Sequence, residues 1–232
     1  MSASSHRAPR SATRAVLFDM NGVLIDDEEL HRQAFQDVLR QTSPQMTDKD
    51  YVRYFVGRTD RAGFQGFFSD RCPDRLGEIE ELLDRKLELY LHLAASSLRS
   101  YPGATELVNG LHQAGHDLAV VTSSTRHEVA VVLDFLNLND AFTTVVTAED
   151  ARNGKPSPAP YLTGATRLDR APHECLVIED SPSGITSAKA AGMTCAAIAS
   201  THDREHLTDA DVIVERISDL TACSIFHRPR SQ

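Results

Sequence analysis

A chain of 232 residues can bury one full core, or one core carrying a smaller insert, but it is too short for two independent large domains. Its 33 acidic against 24 basic side chains leave a formal charge of −9, which at long range repels nucleic acid and anionic membrane surfaces alike. No run of roughly 18 apolar residues offers a membrane span and the start lacks the apolar centre of a secretory signal, so a cytoplasmic monomer or small homo-oligomer is expected.

Residues 1–12 are rich in Ser, Ala and Arg and contain no acid, which predicts a disordered tail, with a short transit peptide as the sharper alternative. The first apolar β-branched run, Ala15-Val16-Leu17-Phe18, predicts a strand buried on both faces. The stretch 27–98 then breaks the pattern. It holds helical periodicity over 28–41, 47–54, 60–69 and 76–98 without a convincing buried strand, and reads as an inserted helical unit. In the last of these segments Ile79, Leu82, Leu83, Lys86, Leu87 and Tyr90 fall at three- and four-residue spacing, and Leu82, Leu83 and Tyr90 read as a packing stripe rather than a ligand box. After the Tyr101-Pro102-Gly103 turn, further strands are predicted at 118–121, 144–146, 176–178, 196–198 and 212–214, with helical patterns between most of them. Residues 13–26 and 99–225 therefore form an α/β core, 27–98 an inserted cap, and 226–232 a second tail. Cys72, Cys175, Cys195 and Cys223 lack a C-x-x-C pair or histidines at ligand spacing, and read as reduced thiols.

Ligands of an open α/β sheet gather at the carboxyl ends of its strands, and four of these ends are chemically loaded. The first closes with Asp19-Met20-Asn21-Gly22, a carboxylate beside a glycine that admits close backbone approach. The second supplies Thr122, Ser123 and Ser124, whose hydroxyls and N–H groups suit phosphate oxygens. After the third, Asn153-Gly154-Lys155-Pro156 presents one lysine on a stiff loop. The fourth ends in Glu179-Asp180, paired acids that repel unless a cation lies between them or one protonates.

In this order on successive strand ends, the four motifs resemble the haloacid dehalogenase superfamily, over about residues 14–220, and the insert resembles the helical cap of its β-phosphoglucomutase and phosphoglycolate phosphatase branch. The resemblance implies a Rossmann-like parallel sheet core with a helical cap, and a hydrolase of a small phosphorylated metabolite. It implies Asp19 as nucleophile forming an aspartyl-phosphate, Thr122 holding phosphoryl oxygens, and Lys155 neutralising charge. It further implies Mg²⁺ bound by Asp19, the main-chain oxygen of Asn21, Asp180, and Glu179 directly or through water. Gly22, Ser123, Ser124, Arg58, Arg126 and His31 are candidate substrate contacts, Arg58 from the cap loop that reaches the site in relatives.

One position departs from the pattern. Relatives carry a second aspartate, the general acid and base, where this chain has Asn21, and an amide cannot trade a proton near neutral pH. Three explanations remain open: a substrate whose leaving group needs little protonation, such as an acyl or enol phosphate; a replacement carboxylate or imidazole among Asp26, Asp27, Glu28 and His31; or a binder of phosphorylated ligands with impaired turnover. Asp27 stands where relatives place Ser or Thr, and its plain reading is a helix N-terminal charge. A phosphomutase like β-phosphoglucomutase is the alternative enzyme, and it needs the missing acid more.

Overall fold

The computed structural model describes residues 14–40, 45–151 and 153–222. The predicted tails at 1–12 and 226–232, and Cys223, lie outside the described residues. Six strands, β1 (Ala15–Phe18), β2 (Asp117–Val121), β3 (Thr144–Val146), β4 (Cys175–Glu179), β5 (Thr194–Ile198) and β6 (Val212–Val214), form one sheet in the order β3-β2-β1-β4-β5-β6. Every pairing is parallel.

The alternation of side chains along a strand divides the core in two. Val16 and Phe18 point to one face, where they meet α5 (Ala104–Gln113) and α6 (Arg126–Leu136) through Leu107, Val108, Val129 and Val132. Ala15 and Leu17 point to the other, against α7 (Ala159–Arg167) and α8 (Pro182–Ala190) through Tyr161, Ala165, Ile185 and Ala188. Burial on both faces explains why these strands read as unbroken apolar runs. Each fully buried Leu or Phe contributes about 1.5–3 kcal/mol.

The chain leaves β1 toward β2 and β3 on one side and returns to β4 on the other, so the sheet's switch point lies where β1, β2 and β4 end. That is where an open α/β sheet leaves a crevice.

Between β1 and α5 the chain builds α1 (Glu28–Leu39), α2 (Asp48–Tyr54), α3 (Asp60–Arg71) and α4 (Ile79–Ser97). Their shared core is aromatic, with Phe35, Phe55, Phe64, Phe67 and Phe68 buried together. The start of α2 is fixed by a capping box between Thr47 and Asp50, and that of α3 by the Thr59 hydroxyl accepting from the Ala62 N–H. The segment predicted as one helix from 76 is a 3-10 turn over Pro73–Glu78 that becomes α-helical only at Ile79, because Gly77 resists the α conformation. The two strands linking cap to core pair with each other, the Asp26 N–H donating to the Arg99 carbonyl at 2.8 Å.

Phe64 is completely buried and lies edge-on to Phe55 at 5.6 Å between ring centroids. Phe64→Ala is expected to destabilise the protein by about 3–5 kcal/mol. Urea unfolding followed by circular dichroism measures this, and a loss under about 1 kcal/mol would mean that the aromatic cluster does not hold the cap.

Candidate active site

The floor of the crevice is built from the ends of β1 and β4. Lys155, on the loop before α7, reaches between them with Nζ 2.9 Å from Asp19 Oδ1 and 2.6 Å from Glu179 Oε1. Lys155 and Glu179 are almost wholly out of water. Burial works against the lysine charge, but the two carboxylates outweigh it and hold the ammonium well above its usual range.

Glu179 is fully occupied. Its Oε1 accepts from Lys155 and from the Tyr161 hydroxyl at 2.7 Å, and its Oε2 accepts from the Asp180 and Ser181 N–H groups and the Ser181 hydroxyl at 3.0–3.1 Å. Burial opposes its charge, yet Lys155 and these donors keep it ionised below the usual carboxylate range. Gly184 makes this possible, since a Cβ there would lie 1.7 Å from Glu179 Oε1.

Asp180 and Asp19 are pushed the other way. Burial, then Glu179 and Asp19, raise Asp180 well above the ordinary value, while the Thr201 hydroxyl donates to its Oδ2. Burial raises Asp19 to about 7 against the pull of Lys155. Gly22, at φ 78°, packs its backbone onto Asp180, where a Cβ would sit 2.1 Å from Oδ2. Carboxylate oxygens of Asp19, Glu179 and Asp180 all lie within 4.8 Å of one another. An all-oxygen donor set at that spacing fits a hard divalent cation, and the elevated acids mark negative charge that one would relieve.

Asn21 is held at both ends. Its Oδ1 accepts from the Ser124 hydroxyl at 2.8 Å and from the Thr122 hydroxyl at 3.3 Å, and its Nδ2 donates to Asp27 at 2.9–3.0 Å. The Asp27 carboxylate also accepts from the Tyr90 hydroxyl at 2.6 Å and lies 3.2 Å from His31 Nε2. Although Asp27 occupies the N-cap position of α1, its side chain caps nothing. The expected helix-terminus role is therefore not the role of this carboxylate. Burial works against its charge, but His31, Tyr90 and Asn21 hold it below its ordinary pKa. It is buried and does not line the cavity.

His31 passes the contact into the cap. Lys86 Nζ lies 2.8 Å from His31 Nδ1, 2.8 Å from Asp60 Oδ2 and 2.9 Å from Glu128 Oε1, with no exposed side-chain surface. An ammonium donating to Nδ1 places the imidazole proton on Nε2, directed at Asp27.

Asp19, Asn21, Gly22, His31, Arg58, Thr122, Ser123, Ser124, Lys155 and Asp180 border one cavity, so the structure gathers almost every residue singled out in the sequence. Arg126 stays apart. Its guanidinium bonds Asp150 at 3.2 and 3.3 Å and does not border the cavity. Sequence reasoning missed Tyr161, Thr201 and the structural part of Lys86. Only Lys86 left a trace, a cation in register with Leu82 and Tyr90 on a buried stripe.

Among the described residues, no helix is long and apolar enough to cross a membrane. The family model for haloacid dehalogenase-like hydrolases matches residues 16–198. Validoxylamine A 7'-phosphate phosphatase of Streptomyces hygroscopicus subsp. limoneus is 31% identical over 89% of this chain and 95% of its own. Pyrophosphatase PpaX of Anoxybacillus flavithermus is 30% identical over 88% and 94%. Among solved structures, a point mutant of CbbY from Rhodobacter sphaeroides in complex with xylulose-(1,5)bisphosphate superposes with a TM-score of 0.82 at 26% identity, covering 90% of this chain and 96% of that one. With the motifs, the sheet order and these likenesses in agreement, the chain belongs to the haloacid dehalogenase-like hydrolase family, as a hydrolase of its phosphatase branch.

Proposed function

We propose that the protein is a Mg²⁺-dependent phosphatase of a small phosphorylated metabolite, acting through an aspartyl-phosphate on Asp19, and that it favours substrates whose leaving group departs without a proton. The observation that carries this reading is Lys155 clamped between Asp19 and Glu179, with Asp180 beside them, at the floor of a cavity roofed by the cap. With all three acids ionised, a lysine and three carboxylates leave two negative charges in excess, which is why burial and mutual repulsion push Asp19 and Asp180 toward protonation. A bound divalent cation would neutralise that excess and polarise the phosphoryl oxygens.

Glu179 is committed to protein donors, so the residues available to hold the cation are Asp19, Asp180 and the Asn21 carbonyl. Lys155 orients Asp19 through one carboxylate oxygen, which leaves the other to attack phosphorus as the bond to the leaving oxygen breaks. Thr122 and Ser124 border the phosphoryl position, and water then cleaves the acyl phosphate on Asp19. The Asn21 amide is spent on Asp27 and the hydroxyls, and the His31 proton on Asp27. Neither supplies the missing acid. Acyl phosphates and phosphoanhydrides need none, and a pyrophosphatase stands among the relatives. A phosphomutase, which must move protons in both half-reactions, receives less support.

With Mg²⁺, phosphate release from acetyl phosphate is expected to exceed that from alkyl monophosphates by about 10²-fold or more. It should stop in EDTA and in Asp19→Asn. Equal inactivity toward the whole panel would contradict the proposal.

Restoring the acid requires two changes. Asn21→Asp alone sets a second carboxylate against Asp27 within about 3 Å, where the pair would share a proton. Asn21→Asp with Asp27→Ser is expected to raise alkyl phosphate turnover by about 10²-fold over the parent and clearly above the single variant. Equal rates for the two would show that Asp27 is not the obstacle.

The raised acids also set a pH dependence. Between about 4 and about 7 the metal-free native state retains protons, notably on Asp19, that the unfolded chain releases. Stability in EDTA should therefore fall as pH rises through this window, and Mg²⁺ should remove most of the fall. A urea midpoint in EDTA that is flat or rising from pH 4.5 to 7 would contradict the charge assignment.

A further inference from the structure

We infer that Tyr161 makes the cation site selective for Mg²⁺ over Ca²⁺, by holding Glu179 outside the metal's shell. The inference rests on the phosphatase reading and gives a positioning role to a residue of α7. Distance alone does not exclude Glu179, because one of its oxygens lies within 4.8 Å of oxygens of both Asp19 and Asp180. Its hydrogen-bond donors do. An ionised carboxylate offers about four lone-pair sites. Glu179 already meets five donors, two on Oε1 and three on Oε2.

Four of those donors also serve another part of the structure. The Asp180 and Ser181 N–H groups belong to the main chain that turns from β4 into α8, and the Ser181 hydroxyl caps α8 by accepting from the Gly184 N–H at 3.1 Å. Lys155 is shared with Asp19. The Tyr161 hydroxyl bonds Glu179 at 2.7 Å and makes no other hydrogen bond among the described residues. Without that hydroxyl, Oε1 would keep Lys155 and gain a vacant lone pair.

Helix packing delivers the phenol to this point. Gly164, one turn after Tyr161, lets α7 lie tight against the sheet, since a Cβ there would sit 2.9 Å from Leu17 and 3.1 Å from Val121. Tyr161 is completely buried, and the Lys155 ammonium lies 5.1 Å from its ring centroid. The ring thus supports the lysine while the hydroxyl saturates the glutamate. Phenylalanine would keep the first contact and lose the second.

Ligand number turns this arrangement into selectivity. Asp19, Asp180 and the Asn21 carbonyl, completed by water, suit the compact octahedral shell that Mg²⁺ requires, whereas Ca²⁺ takes roughly six to eight oxygens and accepts bidentate carboxylates. A Glu179 released at one oxygen adds a ligand and a negative charge, which favours the larger ion more.

Calorimetric titration of the metal-free protein with MgCl₂ and with CaCl₂ tests the assignment without requiring turnover. In Tyr161→Phe the ratio of Ca²⁺ to Mg²⁺ affinity is expected to rise by about tenfold or more, with Mg²⁺ affinity kept within about threefold. A purely structural role for Tyr161 would weaken both ions together. Crystals grown with Ca²⁺ supply a second readout: Glu179 should stay outside the ion's shell in the parent and lie about 2.3–2.6 Å from it in the variant. An unchanged ratio in the variant, a parallel loss of both ions, or Glu179 bound to Ca²⁺ in the parent would overturn the inference. A parent protein that binds neither ion would instead remove the phosphatase reading beneath it.

Discussion

One ammonium group organises the floor of this site. Lys155 lies between two carboxylates from different strands, and without it Asp19 and Glu179 would face each other in a medium that screens poorly. The strand ends contribute three acids because the sheet's parallel order brings β1 and β4 side by side. Packing then fixes the distances. Gly22 and Gly184 are glycine because a methyl group at either would occupy the space of a carboxylate oxygen. The acids differ in role because their partners differ: Glu179 takes five protein donors, while Asp180 takes one hydroxyl and Asp19 a lysine and the Met20 N–H. The two groups that face the cavity are thereby left with too few donors to hold their charge, and both are pushed toward the protonated form.

A second web joins this floor to the roof. From Thr122 and Ser124 it runs through the Asn21 amide to Asp27 and Tyr90, then through His31 to Lys86. Lys86 is a cap residue with two acidic partners: Asp60 in the cap and Glu128 at the first turn of α6 in the core. Glu128 also closes the capping box with Thr125, directly after the three residues, Thr122 to Ser124, that border the cavity. Burying a lysine and its acids is costly, and such networks are kept for the geometry they impose. Here the geometry is a docked cap and an asparagine whose orientation is decided by a carboxylate behind it. The amide at 21 borders the cavity, and the carboxylate at 27 keeps its negative charge in the buried layer behind it.

Much of this was legible in the sequence. Fully buried strands such as β1 announce themselves as apolar runs, and the boundaries of the predicted strands lie within two residues of those observed. The four motifs gave the floor, because chemistry at strand ends needs particular side chains and topology puts those ends together. Partners contributed by distant elements left no such trace. Nothing in the sequence around Tyr161 sets its hydroxyl apart as a partner of Glu179, and nothing in a threonine at 201 announces a bond to Asp180. Asp27 was visible as an anomaly but misread, since a carboxylate at a helix start looks the same whether it caps the helix or turns inward. Arg126 followed the second motif closely enough to suggest substrate contact, and the acids at 149 and 150 that claim it are local only in three dimensions.

The central claim is that the excess negative charge at the ends of β1 and β4 is a place for a divalent cation, with Glu179 serving Lys155 instead of the metal. A crystal structure obtained with Mg²⁺ and orthovanadate tests it most directly. The account predicts one Mg²⁺ at about 2.0–2.1 Å from oxygens of Asp19, Asp180 and the Asn21 main chain, with the Lys155–Glu179 contact intact. A cation held by Glu179 with Lys155 displaced, or vanadate bound with no cation between Asp19 and Asp180, would contradict it.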